Sequence, residues 1–202
     1  RWTSEAVRIA KDAVPGEHLV AGSLAPLEDC YRPDLSPRDC REEHSEMASA
    51  LAESGCDLIL CETHANVDEA FQAVEVSVQT GLPTWLALTA GPKGDLLSPR
   101  AMADAAKKAA ELGASAILAN CIPATMLFRW IDALADADLG VPFGGYANAG
   151  SVEDRVGWKS SAEPGANRYA ELARVWVASG ATIIGGCCGT GPSHIAAISR
   201  LR

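Results

Sequence analysis

Apolar runs of about strand length recur along the chain at residues 18–25, 56–61, 83–89, 116–121, 141–146 and 181–186. Each is as long as a strand buried in a parallel sheet, and each is followed by a loop carrying polar residues or glycine. Helical punctuation fills the intervals. Ser36-Pro37 and Ser98-Pro99 read as N-cap and first-turn pairs. Asn66 with Glu69 three residues on resembles a capping box, and Gly55, Gly113 and Gly180 fall where helix C-caps are expected. Residues 101–112, rich in Ala, Lys and Glu, read as an amphipathic outer helix. Strand alternating with helix predicts an α/β fold with a parallel sheet and right-handed crossovers.

Six such strands fit either an open doubly wound sheet or most of a barrel. Polar residues at the strand ends favour the barrel. Gly22-Ser23, Glu62-Thr63, Asn120-Cys121, Asn148-Ala149-Gly150 and Cys187-Cys188 all lie at or just beyond the C-terminal ends of their predicted strands. In a (β/α) barrel those ends converge on one mouth, where active sites of that fold are built. No G-x-G-x-x-G turn follows the first strand, which argues against a dinucleotide-binding sheet.

Composition narrows the chemistry. With 202 residues, 48% hydrophobic and 21% charged, residues 1–202 read as a single soluble domain with a large core. No apolar run reaches membrane-spanning length and no signal-peptide pattern is visible, so a cytoplasmic protein without a membrane partner is expected. A net charge of −9 without clustered Lys and Arg argues against nucleic acid and for small-molecule chemistry. The seven cysteines are an odd number with no dense framework, and reduced thiols are expected.

Two of those cysteines, Cys187 and Cys188, are adjacent. Neighbouring cysteines rarely close on each other, because the preferred disulfide dihedral is hard to reach in so small a ring. A soft metal ion is the better explanation, and the pair supplies half of a tetrahedral zinc shell. His194, in the first turn of the last predicted helix, reads as a surface or supporting residue rather than a ligand. Cys30 and Cys40 flank a loop at a spacing that fits no common zinc pattern. Cys56 and Cys61 bracket a strand and read as small apolar fillers, with Cys61, beside Glu62, the one placed to approach a site.

The string Gly-Gly-Cys-Cys-Gly-Thr-Gly-Pro-Ser-His-Ile at 185–195, Asn120-Cys121, Val-Ala-Gly-Ser-Leu-Ala-Pro at 20–26, Cys61-Glu62-Thr63 and Tyr-Ala-Asn-Ala-Gly at 146–150 together resemble the homocysteine S-methyltransferase family. They occur in family order over nearly the whole chain. The resemblance implies a zinc-dependent (β/α)8 barrel whose metal ligands are Cys121, Cys187 and Cys188. It implies methyl transfer to the thiol of homocysteine, giving methionine, with S-methylmethionine or S-adenosylmethionine as donor in the stand-alone members. Three thiolates leave a fourth position open, as in a catalytic zinc site. The family pattern puts Glu62 against the α-ammonium of the substrate, with Asn148 and Ser23 as further substrate contacts. Each also has a plain structural reading: an acid near a helix start for Glu62, and turn residues for Asn148 and Ser23. Trp85, Trp130, Phe143 and Trp158 read either as an aromatic surface for a cationic donor or as packing, and the loop at 91–95 as a lid.

The same resemblance predicts a departure. Two βα units precede the Gly-Ser strand in the family, and the first carries an Asp-Gly-Gly turn that helps hold homocysteine. This chain starts at Arg1-Trp2-Thr3, within the helix after the second strand. A TIM-type barrel lacking its first two βα units, with six strands in this chain, is therefore expected. Its open edges and uncovered core invite association, with a homo-oligomer among the outcomes, or instability. Ala25 and Ala147 stand where the family usually has Gly and often has Pro. The competing readings are a non-catalytic zinc- or thiol-binding barrel fragment, and a methyltransferase for a related thiol or selenol such as selenocysteine.

Overall fold

Each apolar run closes into a strand and each punctuated interval into a helix in the computed structural model, which describes residues 2–14, 16–158 and 162–201. The strands are β1 (Ala21–Leu24), β2 (Leu58–His64), β3 (Thr84–Leu88), β4 (Ala116–Pro123), β5 (Phe143–Asn148) and β6 (Ile183–Gly186). Around them run α1 (Trp2–Ala13), α2 (Arg41–Glu53), α3 (Val67–Val78), α4 (Pro99–Glu111), α5 (Phe128–Asp136), α6 (Ala162–Ala178) and α7 (Pro192–Ile198). The strands follow one another in chain order. The β1–β2, β4–β5 and β5–β6 pairings are parallel, as right-handed crossovers through helices require. Every residue of β4 is buried, the mark of a strand covered on both faces.

The helix ends show which punctuation carries energy. Ser98 Oγ accepts from the N–H of Ala101 at 3.2 Å and so opens α4. Asn66 Oδ1 accepts from the N–H of Glu69 at 3.0 Å and opens α3, while its amide donates to the Pro33 carbonyl at 2.9 Å. Gly55, Gly113 and Gly180 end their helices with φ of 91°, 106° and 98°, the left-handed cap conformation. Two expectations fail. The capping box is only half made, because the Glu69 carboxylate turns inward, accepting from the N–H of Leu27 at 2.7 Å and facing His44 Nε2 at 3.2 Å. Burial pushes that carboxyl up, but hydrogen bonds from His44, Ser36 and the Leu27 N–H outweigh it and hold the group at about 2. Ser36-Pro37 opens no helix: the Ser36 hydroxyl is spent on Glu69. Instead α2 begins after Cys40, whose N–H is held by Gln72 Oε1 at 2.8 Å and whose carbonyl takes the first helical bond from His44.

The chain divides into two compact units, residues 1–87 with 108–116, and residues 88–107 with 117–202. The first has its core in Leu24, Ile59, Ala70, Val74 and Leu86, all buried. Cys61 belongs to this core. Its Sγ lies 3.5 Å from Ser77 Oγ of α3, and burial pushes the thiol up to about 12. The expectation that Cys61 approaches a site is therefore wrong, because alternation along β2 turns it to the helix-facing side, away from that of Glu62. In the second unit the core is Ile117, Ile122, Leu127, Trp130, Ile131, Tyr169 and Trp176. Trp130 is fully buried and its indole N–H donates to the Leu97 carbonyl at 2.9 Å, so it is packing and presents no surface to a ligand. Among the described residues no helix is long and apolar enough to cross a membrane.

Asn66 holds both the first turn of α3 and the loop at Pro33, so Asn66→Ala is expected to lower stability by about 1–2 kcal/mol. In urea unfolding the midpoint falls while the denaturant slope stays unchanged.

Candidate metal centre

The second unit brings the C-terminal ends of β4, β5 and β6 side by side. The β4–β5 register runs evenly to Asn120 opposite Tyr146, then shifts before Pro123 meets Asn148. Cys121 sits in that irregularity with φ of 50°. A non-glycine residue there costs about 1–3 kcal/mol and persists only where its surroundings hold it; strand irregularities of this kind re-aim a side chain. The hold comes from Asn148. Its Nδ2 donates to the Cys121 carbonyl at 2.9 Å, and its Oδ1 accepts from the N–H of Gly150 at 2.8 Å.

The adjacent cysteines are stitched to the same loop through their backbones. The N–H of Cys187 donates to the Ala147 carbonyl at 2.9 Å, and the N–H of Ala149 donates to the Cys188 carbonyl at 2.8 Å. Thr190 Oγ1 donates to the Cys187 carbonyl at 2.6 Å. Gly189 then turns the chain with φ of 78°, and a Cβ there would lie 2.6 Å from the Trp158 ring and 2.7 Å from Ala149. Beneath the turn, the Tyr169 hydroxyl accepts from the N–H of Ala147 at 3.0 Å and donates to the Gly185 carbonyl at 2.7 Å. Burial raises the pKa of this phenol, so it stays a donor. His194 is also buried: Nδ1 accepts from the N–H of Gly191 at 3.1 Å and Nε2 donates to the Val156 carbonyl at 2.8 Å. Both nitrogens are spent on backbone, so His194 is a support and no ligand.

The outcome is a convergence of sulfur. The Sγ atoms of Cys121, Cys187 and Cys188 lie within 4.8 Å of one another. Cys187 and Cys188 are 3.8 Å apart, and Cys121 and Cys187 are joined as a disulfide with Cα atoms 5.9 Å apart. That pair departs from the expectation of reduced thiols throughout, because strand ends that bring sulfurs together as ligands also bring them within bonding reach. The remaining cysteines form no disulfide. A tetrahedral zinc with Zn–S bonds of about 2.3 Å separates its sulfurs by about 3.8 Å, so the donor type and the Cys187–Cys188 spacing both suit that ion. Burial falls across the set, from buried Cys121 through half-buried Cys187 to exposed Cys188.

Cys188 opens on a cavity of about 510 Å³, lined also by Asn148, Asp154, Trp158, Met126 and Pro92. Asp154 accepts from the N–H of Ser151 at 2.6 Å, and Thr125 Oγ1 donates to it at 3.4 Å. Pro92 brings the loop at 91–95 to the rim. Of the aromatic candidates Trp158 reaches this cavity, with 45% of its surface exposed. Phe143 lies at the opposite end of β5, against Gly180. Ser23 and Glu62 belong to the first unit, Ser23 exposed on β1 opposite Leu60 and Glu62 half-buried on β2. Sequence reasoning missed Tyr169, since nothing marks one tyrosine in an amphipathic helix as the group that pins two strand ends.

Asn148 holds Cys121 in an unfavourable conformation, so Asn148→Ala is expected to weaken zinc binding by about 10–100-fold, read by chelator competition. Tyr169→Phe strands a buried N–H and carbonyl and is expected to cost about 1–3 kcal/mol in denaturant unfolding.

The model of the family described as Homocysteine S-methyltransferase matches residues 1–201. The chain is similar to homocysteine S-methyltransferase of Escherichia coli, at 31% identity over 94% of this chain and 64% of that protein. It is 29% identical to homocysteine S-methyltransferase 1 of Zea mays, over 92% of this chain and 58% of that protein. The chain thus spans little more than half the length of such relatives. The crystal structure of the E. coli homocysteine methyltransferase MmuM in its apo form superposes with a TM-score of 0.74 at 23% identity, covering 99% of this chain and 73% of that one.

Proposed function

Because the chain belongs to the homocysteine S-methyltransferase family, we propose that it transfers a methyl group from a sulfonium donor to the thiol of homocysteine, giving methionine. We read its six strands as part of a (β/α)8 barrel. The observation that carries the proposal is the meeting of Cys121, Cys187 and Cys188 within 4.8 Å at the edge of a cavity. With the Cys121–Cys187 pair reduced, the three thiolates would hold a zinc ion, whose charge would favour loss of the proton from a fourth, incoming thiol near neutral pH.

The chain's own residues do the rest. Asn148 and Tyr169 hold the strand ends that carry the cysteines. Trp158 offers a half-exposed aromatic face to a cationic donor in the cavity. Glu62 is the acceptor for the substrate α-ammonium, and Ser23 a further polar contact. In the displacement a substrate sulfur lone pair forms the new C–S bond, while the donor's C–S bond breaks onto its sulfur. The thiol proton passes to solvent, and the donor leaves as a neutral thioether. S-Methylmethionine and S-adenosylmethionine both fit this balance.

Methionine formation from homocysteine, measured with each of these donors and with betaine and methyltetrahydrofolate in parallel, is expected to proceed with a sulfonium donor. In Cys188→Ser the zinc held at this centre is expected to be lost and turnover to fall to background. Glu62→Gln should raise the KM for homocysteine by about tenfold, or ~1.4 kcal/mol, with kcat less affected. Tight zinc with no turnover from any donor would leave the reading of a non-catalytic zinc-binding fragment.

A further inference from the structure

A second group of ligand-type side chains lies in the first unit, unconnected with methyl transfer. Cys40 caps α2 and His44 stands one turn later on the same face. Glu69 comes from the first turn of α3, and His64 ends β2. The ligand atoms of Cys40, His44 and Glu69 lie within 4.8 Å of one another, and all three residues are buried. His64 is fully buried beside them, its ring centre 6.0 Å from that of His44.

Polar groups so deeply buried are normally satisfied, since an unpaired one costs about 1–3 kcal/mol. Here His44 Nδ1 has no hydrogen-bond partner, and the ring of His64 has no side-chain partner, only the backbone of Leu24 within its reach. The Cys40 thiol has only the Pro37 carbonyl at 3.3 Å. Lone pairs without protons to accept, gathered from α2, α3 and β2, are the complement of a cation.

We propose that Cys40, His44, Glu69 and His64 form a second, structural zinc site. One thiolate, two imidazoles and one carboxylate complete a tetrahedral shell with no open position, and such a donor set disfavours the hard ions magnesium and calcium. Two imidazoles on one tetrahedral zinc have ring centres about 5 Å apart for Zn–N bonds of 2.0–2.1 Å, so His64, with its ring centre 6.0 Å from that of His44, would have to draw in to complete the shell. Charge also balances: Zn²⁺ with a thiolate, a carboxylate and two neutral imidazoles sums to zero, the condition for burying an ion cheaply. Binding releases one proton, from the Cys40 thiol.

The full chain, purified with a reductant and loaded with zinc, tests this by metal content. Two zinc ions per chain are expected, falling to one in Cys40→Ser, to one in Cys188→Ser and to none in the double variant. Loaded with cobalt, Cys40→Ser should lose the weaker, one-thiolate charge-transfer band and keep that of the three-thiolate site. Where Cys40→Ser fails to fold, His64→Leu serves, as it removes an imidazole that has no side-chain hydrogen-bond partner; its second-site affinity should fall at least about tenfold. One zinc per chain that Cys188→Ser removes entirely, two zinc ions retained in Cys40→Ser, or unaltered affinity in His64→Leu would each overturn the proposal. None of these outcomes touches the methyl-transfer reading, which turns on the other site.

Discussion

The parallel pairing of β4, β5 and β6 is the constraint on which the cysteine centre depends. A sulfur ligand set drawn from residues 121, 187 and 188 must close a long loop and hold Cys121 in a backbone conformation that its side chain disfavours. Ligands alone do not organise such a set. The ladder does, by delivering three strand ends at one level, and the side-chain amide of Asn148 then ties the end of β4 to the end of β5. Tyr169 ties β5 to β6 from below. Both contacts are made to backbone groups, so they fix where the chain goes without engaging the sulfurs.

Small residues make this pairing possible. A Cβ on Gly144 would collide with the Ile183 carbonyl, and one on Gly145 would lie 2.8 Å from the Ala119 carbonyl and 2.9 Å from Leu127. Glycine weakens a strand in isolation, and β5 carries Gly144 and Gly145 where neighbouring backbone presses against it. The local instability is offset by packing from Leu127, which precedes α5, from Ile131 of α5 and from Tyr169 and Trp176 of α6, all buried in the same unit.

Much of this was legible in the sequence, for identifiable reasons. Continuous apolar runs and N-cap residues depend on neighbours in the chain, so strand existence and the starts of α3 and α4 could be read directly. The Cys187-Cys188 pair was legible because adjacent cysteines have few other uses, while Cys121 needed the family pattern. What failed were features that tertiary partners decide. Ser36 looks like a cap until Glu69 takes its hydroxyl, and Trp130 looks like a ligand platform until burial encloses it. Cys40 was judged against Cys30, at a spacing with no zinc precedent. Its true neighbours are His44, one helical turn away, and Glu69 from α3, with His64 next to His44.

The contrast between the two clusters assigns them different chemistry. At the cysteine centre exposure rises from Cys121 to Cys188 and a cavity adjoins the most exposed member. An ion there has a side on which a substrate thiol can enter. Around Cys40 every donor is buried and a fourth one, His64, stands next to the set. An ion there would be sealed from substrate and would tie α2, α3 and β2 together instead. Openness separates catalytic from structural zinc because a reaction needs an exchangeable position and a crosslink does not. Since ions bound only by the folded chain add their binding free energy to its stability, an ion in the sealed cluster would bear on the energetics of the first unit and one in the open cluster on the proposed chemistry.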